Sequence, residues 1–313
     1  MPLIHVNAGP MGPMVHDGPG DLDSVLSGLP VGDGPVIVMV HGFKYAPNHP
    51  TECPHRHIFS LAPERTCFKV RSWPAGLGFG AGAPDEGLGI GFGWQARGHI
   101  WGAYAEAAEA GRQLAQVIEM CRAIAPERPI HAVAHSLGAR VVLSALRHLQ
   151  AGALSRVILL AGAEFGQRAA EALDTPAGRC AEVINITSRE NDFYDFLLEC
   201  LIAPPKRGDR SLGLALPSGA NVLNLQMDHS GTLAALERAG FAIAPATARI
   251  CHWSPYTRPG VFGLYNSLLR RGPDLPLGAL RAALPCVSEP RWSRLLTLPE
   301  IRLPLPMGRK PSF

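Results

Sequence analysis

A serine between a β-branched run and a helical run has the setting of a nucleophile. Ser136 stands in Ile130-His131-Ala132-Val133-Ala134-His135-Ser136-Leu137-Gly138-Ala139, where an apolar run ends and a helical pattern begins at once. A strand–helix turn this tight makes the hydroxyl point outward over the sheet edge. Such a turn needs small residues two before and two after the serine; here they are Ala134 and Gly138. The usual pattern has glycine at both, so Ala134 departs from it by one methyl. The free N–H groups and positive dipole end of the following helix lie under the hydroxyl, and the Leu137 N–H can stabilise an oxyanion. The plainer reading makes Ser136 a helix N-cap. A second N–H is available upstream. In Val36-Ile37-Val38-Met39-Val40-His41-Gly42-Phe43, Gly42 allows a sharp turn that lets the Phe43 N–H face the same oxyanion. The alternative there is a strand-end glycine beside a core histidine, His41.

A serine nucleophile requires a base, and the base an orienting carboxylate. In a strand–turn–helix site the chain order is serine, then acid, then histidine. Asp192 follows the apolar run Glu182–Thr187 in Ser188-Arg189-Glu190-Asn191-Asp192 and is the expected acid. Glu190 and Asp195 are its rivals, although Asp195 falls a turn into the next helix and is expected to face solvent or cap. Only His229 and His252 follow Asp192. His252 lies among aromatics in Cys251-His252-Trp253-Ser254-Pro255-Tyr256, a setting that suits an imidazole held in a packed loop. His229 is the alternative base, but Ser230-Gly231-Thr232 after it reads as a helix start.

Other constellations are weaker. Cys53-Pro54-His55-Arg56-His57, with His49 and Cys67, has no standard zinc spacing, so no metal is expected. Glycines at every second position from Gly76 to Gly82 and from Gly87 to Gly93 do not match G-x-G-x-x-G, and no Walker lysine follows. No dinucleotide or other cofactor is therefore expected. Residues 75–93 read instead as a cover loop, with Phe79, Ile90, Phe92, Trp94 and Trp101 offering apolar surface to a pocket. Arg140, Arg147 and His148 fall on a solvated helix face and receive no role.

The elements that must hold these residues alternate in kind. Strands are expected at Val36–Val40, 67–72, 130–134, Arg156–Leu160, Glu182–Thr187 and 221–226, with a weaker one at 3–6. Helical periodicity covers 104–125, where Pro126 stops it, and 137–150, 193–201, 232–238 and 261–269. Near-continuous apolar strands suit a parallel sheet covered on both faces. Strand–helix alternation predicts a doubly wound α/β sheet, mostly parallel and flanked by helices. One domain is expected over 1–284, followed by a Pro-rich tail at 285–313.

Composition narrows the function classes. The 313 residues carry 29 Lys+Arg and 26 Asp+Glu, a formal net charge of +3 that gives no footprint for nucleic acid or acidic lipid. With 47% hydrophobic and 18% charged residues, disorder is excluded as the main state. No membrane span is expected, because no run of about 18 apolar residues occurs. The N-terminal residues lack a basic stretch followed by an apolar one, so no secretory signal is expected. Seven cysteines without a C-x-x-C spacing predict reduced thiols, hence a cytoplasmic setting.

Together His41-Gly42-Phe43, Ala134-His135-Ser136-Leu137-Gly138, Asp192 and the late histidine resemble the α/β-hydrolase superfamily over roughly Val36 to Leu269. The continuation Ala139-Arg140-Val141-Val142-Leu143-Ser144-Ala145-Leu146 is similar to an esterase-like bacterial branch of it. The resemblance implies a Ser-His-Asp hydrolase of a small carboxylic ester or thioester, without metal or organic cofactor. Its partner would be a small-molecule acyl substrate. It does not imply which substrate, because the fold hosts many chemistries.

Overall fold

Apolar runs covered on both faces build the centre of the molecule. The computed structural model describes residues 3–18, 20–29 and 33–296. Eight strands form one sheet: β1 (Leu3–Gly9), β2 (Gly12–Val15), β3 (Val36–Val40), β4 (Leu88–Gly93), β5 (Ile130–His135), β6 (Arg156–Leu160), β7 (Glu182–Thr187) and β8 (Val222–Gln226). Their order is β2-β1-β4-β3-β5-β6-β7-β8. Every pairing is parallel except the β1–β2 hairpin at one edge. All five residues of β3 and all six of β5 are buried, as an internal parallel strand requires.

Helices cover both faces. Ile100–Ile124 and Leu137–Leu146 pack against one, where Val38, Val40, Ala132 and Val157 join Leu114, Val117, Val141 and Val142. Val261–Arg270 covers the other, where Ile37, Met39, Val133 and Ile158 meet Leu264, Tyr265 and Leu268. The doubly wound architecture is therefore present, with Ser136 at the C-terminal end of a central strand.

The structure departs from the expected elements in four places. Residues 67–72 form no strand. Residues 88–93, expected as part of a cover loop, form the buried strand β4 between β1 and β3. The alternation Leu88-Gly89-Ile90-Gly91-Phe92-Gly93 is a strand period of two. Its glycine face is filled by Phe79, Phe59 and His55 from outside the sheet and by His5 of the neighbouring β1, each near where a Cβ would stand. Phe79, Ile90, Phe92 and Trp94 are core residues, and only Trp101 is exposed. The hairpin strand β2 and the short helix Leu22–Ser27 were not legible as separate elements. Of the Pro-rich tail, residues 297–313 lie outside the described residues. The part before them packs on the body through Arg291–Glu199 at 2.7 Å and Glu289 N–H to Gln226 Oε1 at 2.9 Å.

Candidate active site

Ser136 links β5 to the helix Leu137–Leu146 with φ 55°, a left-handed conformation rare for a residue with a Cβ. Its neighbours leave room for little else. A Cβ on Gly138 would stand 2.6 Å from the Val40 carbonyl oxygen. One on Gly42 would stand 2.6 Å from the Ser136 Cβ. The end of β3 therefore presses against the turn, and both glycines are required by close approach rather than by flexibility. The backbone fixes the turn further: Ser136 N–H donates to Leu160 O at 3.0 Å, and Ser136 O accepts from Ala163 N–H at 2.9 Å. The plainer N-cap reading does not apply, because the Ser136 side chain makes no capping hydrogen bond.

Ser136 and His252 line one cavity of about 430 Å³, together with Phe43, Leu137, Asn191 and Tyr194. The loop carrying His252 is tied down at several points. His135 Nε2–H donates to His252 O at 3.0 Å. Cys251 N–H donates to Glu190 O at 2.8 Å, and Ala248 N–H to Glu190 Oε1 at 3.2 Å. Buried Arg258 pairs with Glu190, and its second nitrogen donates to Met227 O at 2.6 Å. Tyr194 stacks on the His252 ring at 4.6 Å. Burial pushes the His252 imidazole well below its ordinary range, and the neighbouring His135 and Lys69 push it in the same direction.

The partner of His252 is not the expected acid. His252 Nδ1–H donates to Asn191 Oδ1 at 2.6 Å, which leaves Nε2 as the uncommitted ring nitrogen among the described residues. Asp192 is buried, but its carboxylate accepts from Trp292 N–H at 2.7 Å and pairs with Arg189 at 3.2 Å. The reason is rotational. Arg189–Asn191 is a 3₁₀ turn that runs into the helix Asp192–Leu201, so consecutive side chains point about 100–120° apart. Glu190, Asn191 and Asp192 therefore face three directions, and the amide faces the imidazole. Asp195, expected at the surface, is buried and lines the same cavity. Burial pushes its carboxyl up to about 7, against the pull of Ser211 and Arg189.

Phe43 and Leu137 also line this cavity. Neither backbone N–H has a protein acceptor among the described residues, so both are available to an anionic oxygen. Ser136 makes no hydrogen bond to His252 among the described residues; contacts of this kind commonly tighten only when substrate binds.

The other residues singled out lie elsewhere. His229 caps the helix Ser230–Arg238, its Nδ1 accepting from Gly231 N–H at 3.1 Å and Thr232 N–H at 3.3 Å. It lines a separate cavity with Gln226 and Arg281. His41 is a core histidine: Nδ1–H donates to Gly42 O, Nε2 accepts from Trp94 N–H at 3.1 Å, and burial pushes it down to about 3. His57 bonds Tyr45 and Cys67, while His55 bonds Asn7. Among the described residues no three His, Cys, Asp or Glu side chains could hold a metal. Arg140, expected on a solvated face, instead forms an ion pair with buried Glu164 and lies over Tyr104. Asn191 and Glu190 are what sequence reasoning missed in their present roles; a buried polar run after β7 was the signal available.

Strand order, the strained serine after β5 and the late histidine in its cavity define an α/β-hydrolase fold. A family model described as "Protein of unknown function (DUF726)" matches residues 99–198, the stretch that holds Ser136 and Asn191. No curated protein matches the chain. Among solved structures, the chain is similar to a Trichoderma reesei cutinase in complex with a C11Y4 phosphonate inhibitor. That match has 14% identity and a TM-score of 0.25, over 65% of this chain and 64% of the cutinase. It is also similar to the Pyrococcus horikoshii acylaminoacyl peptidase, at 12% identity and a TM-score of 0.29, over 52% of this chain and 28% of the peptidase. The chain thus spans less than two thirds of the length of either structure. No helix among the described residues is long and apolar enough to cross a membrane.

Proposed function

We propose that the protein is a serine hydrolase that cleaves a small carboxylic ester or thioester through an acyl-enzyme on Ser136. The observation that carries this reading is the pairing of a strained serine with an anchored imidazole in one apolar-walled cavity. The Ser136 Oγ attacks the acyl carbon while its proton passes to His252 Nε2. The Nδ1–H stays hydrogen-bonded to Asn191 Oδ1, which fixes the tautomer and leaves Nε2 free to take the proton. The N–H groups of Phe43 and Leu137 receive the oxyanion. His252 returns the proton to the leaving group, and water attacks the acyl-enzyme by the same route. Asn191 thus takes the orienting role that the order of the chain suggested for Asp192. No metal or organic cofactor enters these steps. Seven free cysteines fit a reducing, cytoplasmic setting.

A fluorophosphonate probe tests the reading. Labelling of the folded protein that disappears in Ser136→Ala is the expected result, and absence of labelling overturns it in favour of a ligand-binding protein. A panel of esters, thioesters and amides, with and without added acyl acceptors, then separates esterase from amidase and acyltransferase.

A further inference from the structure

Large, largely exposed apolar side chains adjoin the residues that line the Ser136 cavity. Trp101 is 58% exposed and Phe68 is 69% exposed. Leu201 and Phe193, on the helix Asp192–Leu201, are also exposed. Phe68, Trp101 and Phe193 each touch a residue that lines the cavity. Phe68 packs edge-on at 5.2 Å against Trp253, which lines the cavity. Trp101 Nε1–H donates at 2.6 Å to the carbonyl of Leu201, another lining residue. The indole is thus held in place with its polar atom satisfied and its apolar body in water. Inside the rim the wall continues apolar through Ile100, Leu197 and Leu198. Large exposed apolar side chains gathered beside one cavity mark an interaction site.

The small net charge of the whole chain gives no footprint for acidic lipid, but charge beside this cavity is local and narrows the partner. The chain has only four lysines, Lys44, Lys69, Lys206 and Lys310, and two of them line this cavity. Lys69 Nζ lies 4.7 Å over the Trp253 ring, and Arg97 donates to Lys44 O at 2.9 Å. Lys44, Lys69 and Arg97 make no ion pair among the described residues. Glu52 is the carboxylate that shares the rim, and Asp195 lies buried below it. Aromatic and aliphatic anchors interleaved with unpaired cations match a surface with an apolar interior and anionic head groups.

We propose that this rim docks on an anionic lipid bilayer, and that the cavity draws from it an ester whose apolar acyl chain lies against Ile100, Leu197 and Leu198. The substrate class rests on the serine hydrolase reading; the docking does not. Ser136→Ala protein is therefore sedimented with vesicles of phosphatidylcholine alone and of phosphatidylcholine mixed with phosphatidylglycerol. Expected is partition onto the mixed vesicles, weakened about tenfold on phosphatidylcholine alone and weakened by added salt. Trp101→Ser and Phe68→Ser, with melting curves unchanged, are each expected to lose about tenfold in partition, and Lys69→Glu to lose the preference for the anionic vesicle. No partition onto the mixed vesicles, or equal partition of Ser136→Ala with and without Trp101→Ser, overturns the docking. So does a dimer seen by sedimentation velocity that Trp101→Ser dissolves, because a second copy would then be what covers the rim. Vesicle binding without fluorophosphonate labelling would remove the hydrolase reading and leave the docking standing. Labelling without vesicle binding would do the reverse.

Discussion

His229 and His252 are the two imidazoles that follow the acidic turn, and they end in different surroundings. His229 comes directly after β8, where the order of elements would deliver a base, yet its ring caps its own helix. The cavity beside it is larger, about 590 Å³ against about 430 Å³, and is walled by Arg189, Arg281 and Gln226. His252 comes later on an irregular loop, but Glu190, Asn191 and His135 bring that loop to the end of β5. What separates the two is local demand. A helix start consumed the acceptor of one ring, while buried polar groups reached out for the other.

The contrast is broken most directly at the two rings. His252→Ala, like Ser136→Ala, should lower turnover about 10⁴- to 10⁶-fold, whereas His229→Ala should retain most of it. Ester hydrolysis by the three purified variants decides it, and the opposite ranking would reverse the assignment. Next comes the clamp. Glu190→Ala leaves the Arg258 guanidinium buried without its carboxylate and should cost about 3–5 kcal/mol, measured by denaturant unfolding. Asn191→Ala should lower kcat about a hundredfold with little change in KM. Asn191→Asp should keep the enzyme active and move the acid limb of its kcat/KM profile to higher pH, since a carboxylate favours the imidazolium. An unshifted profile would mean that residue 191 does not contact the base.

Smaller effects sharpen the picture. Burial lowers His135 to about 4, so in the folded protein its ring stays neutral while the unfolded chain takes up a proton near pH 6.5. Its contribution is complete above pH 6.5 and is lost as pH falls toward 4. The slope is about 1.4 kcal/mol per pH unit. His135→Gln should flatten the stability curve by that slope in this window, which urea melts at several pH values can read. Smallest is the stability cost of His229→Ala. Loss of its cap should cost about 1 kcal/mol, visible as a lower denaturant midpoint with turnover intact.

The architecture was readable where patterns were long. β3, β6 and β7 fall where the apolar runs place them, and the helix Ile100–Ile124 ends before Pro126. β4 was hidden because its alternate positions are glycines. A glycine carries no hydropathy signal, and its partners Phe59, Phe79 and His55 come from distant segments. At the site, Ser136, Phe43, Leu137 and His252 all line the cavity that the spacing suggested. The partner of the His252 ring could not be read from type alone. Three neighbouring polar residues compete at 190–192, and the tight turn decides which one faces inward. A preference for carboxylates over amides pointed one position too far.

The bond from the His135 ring to the His252 carbonyl has a bearing on heat. Side chains that meet only through mobile loops commonly separate before a protein melts. Here the loop bearing His252 is moored to the residue next to Ser136, on an interior ribbon of the sheet. Activity should therefore survive warming until the sheet itself comes apart, and thermal inactivation should coincide with global unfolding rather than precede it.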